Sequence, residues 1–355
     1  MHSFVASARP WLAAGLLAAL LLVAAPAPAA SAVPTTSAVP VTSAGTVAAA
    51  DTGSLTTSVR DAATGAPVRA CVNLVPLDRD RYTGVTLGGT QLGRHSGCSG
   101  EQGDIVVEGV EPGRYQLFAR PYDQQLHGLQ WVGRFGGTGQ RQHAAVVRVA
   151  AGATATAPQI RLDPPGSVTG TLTDSVTAAP AARVHVTVVP LVPHPKYTPD
   201  EPATDNAGRY TVTGLGPYRW PLQFFGSPFY AVQWSGGVGN VRRAQTVQVR
   251  AGQTVTFDQT LRAATTISGK VIIDELGNYS PLLAFNVVTG DLVGVEYPGD
   301  TYQLLVVPGQ VVKLRCHCGH GPGKWHPTGT AFSDAAPVPV GRNPIVIDFD
   351  LTGTG

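Results

Sequence analysis

One pattern of strand, hairpin and tryptophan-led closing strands occurs three times in this chain, and that recurrence constrains the fold more than any other feature. The opening strand and turn read GSLTTSVRDAATGAPVRACVNLVPL from Gly53 and GSVTGTLTDSVTAAPAARVHVTVVPL from Gly166. A looser version, TISGKVIIDELGNYSPLLAFNVV, starts at Thr266. The middle hairpins are GDIVVEGVEPGRYQLFARP from Gly103, GRYTVTGLGPYRWPLQFF from Gly208 and DTYQLLVVPGQVVKLRCHC from Asp300. Trp131, Trp234 and Trp325 each open a loop that leads into the closing strands, and they lie 103 and 91 residues apart. That spacing suits one small β-sandwich per copy.

The 42 glycines and 29 prolines fall between short Val-, Thr- and Tyr-rich runs, as turns fall between strands. Past the N-terminus no stretch keeps apolar residues at helical spacing over three turns. The fold class expected is therefore all-β: three tandem Ig-like sandwiches over 51–163, 164–263 and a divergent 264–355. Breaks are placed at DPP (163–165) and AATT (263–266).

Arg9 precedes an apolar run, LAAGLLAALLLVAA, and then small residues at A-x-A spacing. This predicts a secretory signal peptide over 1–32, cleaved after Ala29 or Ala32; the run is shorter than the ~20 residues a spanning helix needs. Residues 33–50, Ser/Thr/Pro/Ala-rich and uncharged, read as a linker open to O-glycosylation. The protein is expected outside the cell, as a monomer with no membrane contact after cleavage.

The 25 basic and 23 acidic residues nearly cancel, which argues against a nucleic-acid partner. Only four of the basic residues are lysines, and with so much Ala, Gly and Pro the composition is similar to high-GC actinobacterial coding. No cofactor is expected, and no G-x-S-x-G, H-E-x-x-H or phosphate-loop motif is present. The acids Asp61, Asp163, Asp174 and Asp274 are scattered over turns, whereas glycoside hydrolysis needs two carboxylates facing each other.

SVTGTLTD, TDNAGRYTVTGLGPY at 204–218 and AQTVQVRAGQTVTFDQTL resemble the carboxypeptidase regulatory-like domain, a transthyretin-like, CnaB-related family with a carbohydrate-binding-like fold. The resemblance is good in the second copy, fair in the first and poor in the middle of the third. It implies a spacer, adhesive or sugar-binding module, with polysaccharide or cell-surface components as partners. Modules of this kind also accompany α-amylase-class hydrolases, so a glycoside hydrolase of that class is the enzymatic alternative. The reading favoured is a secreted, non-catalytic interaction or structural protein.

Several residues stand out as candidates. Tyr218, Trp220, Phe225 and Tyr230 belong to an aromatic cluster (with Phe224 and Phe229) that strand alternation would partly expose, making it the best ligand-binding face. The three repeated tryptophans read as packing elements beneath their loops. Cys71 and Cys98, paired in an exported chain and placed where similar domains carry cysteines, are expected to form a disulfide that pins the loop 78–97.

In LRCHCGHGPGKWH, Cys316 and Cys318 fall on one face of a strand. Core-filling thiols are favoured there, a Cys316–Cys318 disulfide comes second, and a zinc site with His320 and His326 third. Asp205, Asn206, Asp200 and Glu201 suggest a calcium loop or, more simply, an Asp/Asn–Gly turn. Lys270 with Asp348 or Asp350 would correspond to the isopeptide pair of some CnaB modules.

Overall fold

The computed structural model describes residues 52–77, 95–189, 202–272, 281–318 and 323–352. The expected signal peptide and linker lie outside them, as do Asp200, Glu201 and His320. Among the described residues every regular element is a strand except two three-residue 3-10 turns, Arg141–His143 and Val241–Arg243, so the fold is all-β as its pattern predicts. The first copy contains β1 (Gly53–Asp61), β2 (Ala70–Pro76), β3 (His95–Cys98), β4 (Asp104–Val110) and β5 (Gly113–Pro121). It continues with β6 (Gln130–Val132), β7 (Gly137–Thr138), β8 (Val147–Val149), β9 (Thr154–Thr156) and β10 (Ile160–Leu162). The second copy runs through β11 (Gly166–Asp174), β12 (His185–Thr187), β13 (Arg209–Leu215), β14 (Arg219–Pro221) and β15 (Gln223–Phe225). Its closing strands are β16 (Gln233–Trp234), β17 (Thr246–Gln248), β18 (Thr254–Thr256) and β19 (Gln259–Leu261). The third holds β20 (Thr265–Ile272), β21 (Leu282–Asn286), β22 (Leu292–Glu296), β23 (Thr301–Val306) and β24 (Gln310–Cys316). It ends with β25 (Lys324–Trp325), β26 (Val338–Val340), β27 (Ile345–Val346) and β28 (Phe349–Asp350).

Each copy builds one sheet around its opening strand. β1 pairs antiparallel with β4 and parallel with β9 and β10. β11 repeats this with β13, β18 and β19, and β20 with β23, β27 and β28. The second sheet is built around β5 in the first copy and β24 in the third; in the second copy the corresponding segment is split into β14 and β15. Strict alternation drives the stacking: Leu55 and Val59 on β1, and Val168 and Leu172 on β11, are fully buried while their neighbours are not.

One internal substitution shows how the copies preserve a contact by different means. Between the two closing parallel strands the backbone turns a carbonyl inward, that of Pro158, Phe257 or Ile347. Tyr210 Oη donates to Phe257 O and Tyr302 Oη to Ile347 O, both at 2.6 Å. Those phenols fit because Gly170 and Gly269 sit opposite; a Cβ on either would fall 1.9 Å from the same carbonyl oxygen. In the first copy Ile105 replaces the tyrosine, and Thr57 across the pair donates its own hydroxyl to Pro158 O at 2.8 Å. The acceptor is satisfied each time, as a part-buried carbonyl requires.

Candidate functional site

The copies do not stand as separate beads: Ala48–Gly355 is one compact unit. The repeated tryptophans show why. Trp131 pairs across the sheet with Phe118, Trp234 with Gln223 and Trp325 with Arg315, on the second sheet of each copy. All three are at most 1% exposed. Trp131 and Phe118, with Val75 and Ala144, join the hydrophobic core of the second copy. Covering so large an aromatic surface makes the first seam a part of the core, whereas Trp325 packs within its own copy against Phe285 and Phe332.

The first seam has a backbone part and a side-chain part. Leu129 N donates to Gly214 O at 2.7 Å, and Gly216 N donates to Leu129 O at 3.0 Å. Gly137 and Gly139, from the loop after Trp131, approach so closely that a Cβ would lie 2.1 Å from Tyr218 Oη and 2.4 Å from Arg219 O. Tyr218 Oη is 2.6 Å from Asp163 Oδ2 and 2.8 Å from the Gln130 amide. Its single proton goes to the carboxylate, the charged and nearer acceptor. The Gln130 amide oxygen is the second acceptor within reach of the phenol. Burial and the Asp163 hydrogen bond both raise the Tyr218 pKa, so the phenol stays neutral.

The second seam repeats the first. Val232 bridges to Val306 as Leu129 does to Leu215. Gly239, the counterpart of Gly139, lies against Gln310, where a Cβ would be 2.1 Å from the side-chain nitrogen. Gln223 Nε2 donates to Leu292 O at 3.3 Å.

The aromatic candidates are placed by these seams. Trp220 is fully buried, with Nε1 donating to Gly216 O at 2.8 Å, and Phe225 is 3% exposed and stacked on His185. Tyr218 and Tyr230 are partly buried against the same core. Trp220 and Phe225 therefore offer no ring face to a sugar. Alternation would have exposed some of this segment, but the first copy's Gly139 closes over Trp220, and His185 of the same copy stacks on Phe225. Among the described residues the exposed aromatics are Phe135 at 91%, Phe229 at 79%, Tyr122 at 57% and Tyr297 at 42%. Sequence reasoning missed the seam residues Gln130, Gly139, Asp163, Gly239 and Gln310. The signal was there in the glycines of the two tryptophan loops, repeated at matching places.

Cys71 and Cys98 face each other across β2 and β3 and form the expected disulfide. Cys316 and Cys318 are also joined, with Cα atoms 5.1 Å apart, which corrects the preference for free thiols. Alternation put both on one face, but β24 stops at Cys316, so the chain bends and brings the sulfurs together. Both are buried. Among the described residues no three His, Cys, Asp or Glu side chains cluster as metal ligands.

Asp205 Oδ1 accepts from Ala207 N and Arg209 N, both at 2.9 Å, and Oδ2 from Arg209 Nε: its oxygens fasten a turn. Asp348 Oδ1 accepts from the backbone N of Lys270 at 2.8 Å, matching Asp258 with Thr171, and the Lys270 residue is exposed. The CnaB-type pairing of these two is thus replaced by a strand-capping carboxylate.

Hydrogen bonds from backbone or side-chain donors hold Asp61, Asp174, Asp205, Asp334 and Asp350 below the usual carboxylate range, Asp61 at about 2. Such groups are fixed anions suited to closing turns; a general acid needs the opposite shift. Glu296 is raised, by burial. Burial pulls Arg315 down to about 10, and burial beside Arg315 pulls His317 to about 4.

These elements define a β-sandwich array fused at its seams. No known protein family matches the chain, and no curated protein matches it either. Among solved structures it is similar to a streptococcal ancillary pilin, at 13% identity and a TM-score of 0.25, covering 83% of this chain and 98% of that one. A minor pilin of Streptococcus agalactiae aligns at 13% identity and a TM-score of 0.23, over 59% and 96% of the two chains. The Bacillus anthracis TIE protein aligns at 11% identity and a TM-score of 0.22 over 84% of this chain, which spans 50% of that protein's length. Likeness at this level carries no argument about function.

Proposed function

We propose that the protein is an exported, non-catalytic structural module whose three sandwiches act as one stiff body. The observation behind this is the seam used twice: a parallel backbone bridge, Leu129 to Leu215 and Val232 to Val306, and a glycine, Gly139 or Gly239, packed tightly against the next copy. Aromatic rings and carboxylates that would suit a binding cleft are instead absorbed by seams and turns. Export rests on the signal-like N-terminus, and two disulfides agree with an oxidising compartment.

The test has two arms. Denaturant unfolding followed by tryptophan fluorescence and by far-UV circular dichroism should give coincident single transitions, because Trp131 and Trp220 share a core that spans two copies. The same protein incubated with starch and other polysaccharides should release no reducing sugar. Separate unfolding steps for the copies, or released sugar, would overturn the reading.

A further inference from the structure

The chain contains a single Asp–Pro bond, Asp163–Pro164, and it lies in the short link between β10 and β11, where the first copy gives way to the second. A prolyl nitrogen carries no N–H and takes no part in a strand ladder. As the more basic nitrogen of a tertiary amide, it accepts a proton and leaves more readily than a secondary one. The aspartate before it carries a carboxylate one methylene from its own Cα, so attack on its own carbonyl carbon closes a five-membered ring. Those two traits belong to any Asp–Pro pair.

The first seam adds what an isolated pair lacks. Asp163 O, the carbonyl of this bond, accepts from Gly128 N at 2.8 Å, a distance that suits a developing oxyanion. Gly128 is itself pressed against the second copy, where a Cβ would fall 2.4 Å from Gly216 N. Tyr218 Oη, from the second copy, holds Asp163 Oδ2 at 2.6 Å, and among the described residues none donates to Oδ1. One carboxylate oxygen is therefore fixed and the other left as a nucleophile. Pro164 is exposed, so solvent reaches the leaving nitrogen. The other junction is built without a nucleophile. Leu162 pairs with Asp61 as Leu261 does with Asp174, which puts Arg262 in the place of Asp163 and Ala263 in that of Pro164. The Arg262 carbonyl still accepts, from Gln233 Nε2 at 3.3 Å. A carbonyl donor is thus common to both junctions, whereas the carboxylate and the proline belong to the first alone.

The geometry points to Asp163–Pro164 as a self-cleaving bond that the first seam activates, leaving the first copy joined to the others by the seam instead of by the chain. Oδ1 attacks the Asp163 carbonyl carbon, and the oxyanion that forms takes the Gly128 N–H. The C–N bond then breaks, its electron pair leaves on the Pro164 nitrogen, and that nitrogen takes a proton from solvent. Water opens the cyclic anhydride and gives Asp163 its two carboxyl groups. The reaction consumes one water and no other reactant, and acid speeds it by supplying the proton for the leaving nitrogen. This stands apart from the structural reading, because an uncut chain would be as stiff.

Incubating the full mature protein in mildly acidic buffer, where circular dichroism shows it folded, tests this by intact mass and N-terminal sequencing. Two fragments should accumulate, one ending at Asp163 and one beginning at Pro164. The folded chain should cut roughly tenfold faster, or more, than the same chain in guanidinium at the same pH, since only the fold places Gly128 N and fixes the carboxylate. In heavy-oxygen water the label should appear in both carboxyl groups of Asp163, because water can open the ring at either carbonyl. Pro164→Ala, at an exposed position, should cut several-fold more slowly with unchanged thermal unfolding, and Asp163→Ala should not cut at all. A chain that stays whole, an unfolded chain that cuts as fast as the folded one, label confined to the α-carboxyl, or undiminished cutting of either variant would each overturn the assignment.

Discussion

The guanidinium of Arg141, in the first copy, lies 3.7 Å from the carboxylate of Asp291, in the third, so copies that are not neighbours in sequence meet through a charge pair. Asp291 is almost wholly buried and Arg141 nearly so. Arg141 is anchored on its own copy by Gln116 Oε1 at 3.1 Å and the Pro76 carbonyl at 3.3 Å. A double-mutant cycle with Arg141→Met and Asp291→Asn should show coupling of about 1–3 kcal/mol. Arg141→Met alone should lower stability measurably, because it removes one charge partner of a nearly buried carboxylate. Additive effects in the cycle would show that the two groups do not feel each other.

The two disulfides should differ sharply in what they contribute. Cys71–Cys98 closes a loop of 27 residues, and removing it as the double alanine variant should cost about 3 kcal/mol through the freed unfolded chain. Cys316 and Cys318 are two residues apart, so their bond constrains little of the unfolded chain. Denaturant midpoints of the two double variants should be well separated, with the first much lower; equal midpoints would contradict this account.

Ala178 holds a positive φ of 57° at the place where the first copy has Gly65, at 72°. The turns are otherwise matched: Gly65 N donates to Asp61 O and Ala178 N to Asp174 O, each at 3.0 Å. Left-handed backbone costs alanine about 1 kcal/mol relative to glycine. Ala178→Gly should therefore raise the unfolding free energy by up to about 1 kcal/mol, less the added entropy of a glycine in the unfolded chain. A lower melting temperature would refute the strain.

Acid should destabilise the protein in two stages. Folded His317 titrates at about 4 against an ordinary 6.5, and His326 is also lowered by burial. Between those values the unfolded chain binds more protons than the folded one, so stability falls as pH drops from about 6.5 towards 4. Asp61, held at about 2 by the Thr64 backbone, the Thr64 hydroxyl and His127, adds a further loss below about 3.8. Replacing His317 by Asn should flatten the upper stage and leave the lower; an unchanged upper stage would exclude His317 as its source.

The strands of this chain were legible because alternation along Gly53–Asp61 and Gly166–Asp174 is nearly perfect and appears twice. Cys71 and Cys98 were legible because two cysteines in one small domain of an exported chain are expected to pair, and similar domains carry cysteines at these places. The seams were not. Alternation predicts which way Trp220 and Phe225 point but says nothing about Gly139 of the first copy waiting over Trp220 or His185 over Phe225, so two fully packed rings read as a surface. Cys316 and Cys318 failed for the converse reason: the strand that justified the alternation ends at the first of them. Gly139 and Gly239 carried the missing information, since each marks a close approach from outside its own sandwich.

In every copy the first strand lies parallel to the last ones, β1 with β9 and β10, β11 with β18 and β19, β20 with β27 and β28. The chain thus enters a sandwich at one pole and leaves it at the other. Tension applied between the termini would run along these strands and strain their hydrogen bonds all together, in shear, instead of peeling them singly as a hairpin opens. Each sandwich is wired to bear a pull along its length, which single-molecule stretching would register as a high rupture force.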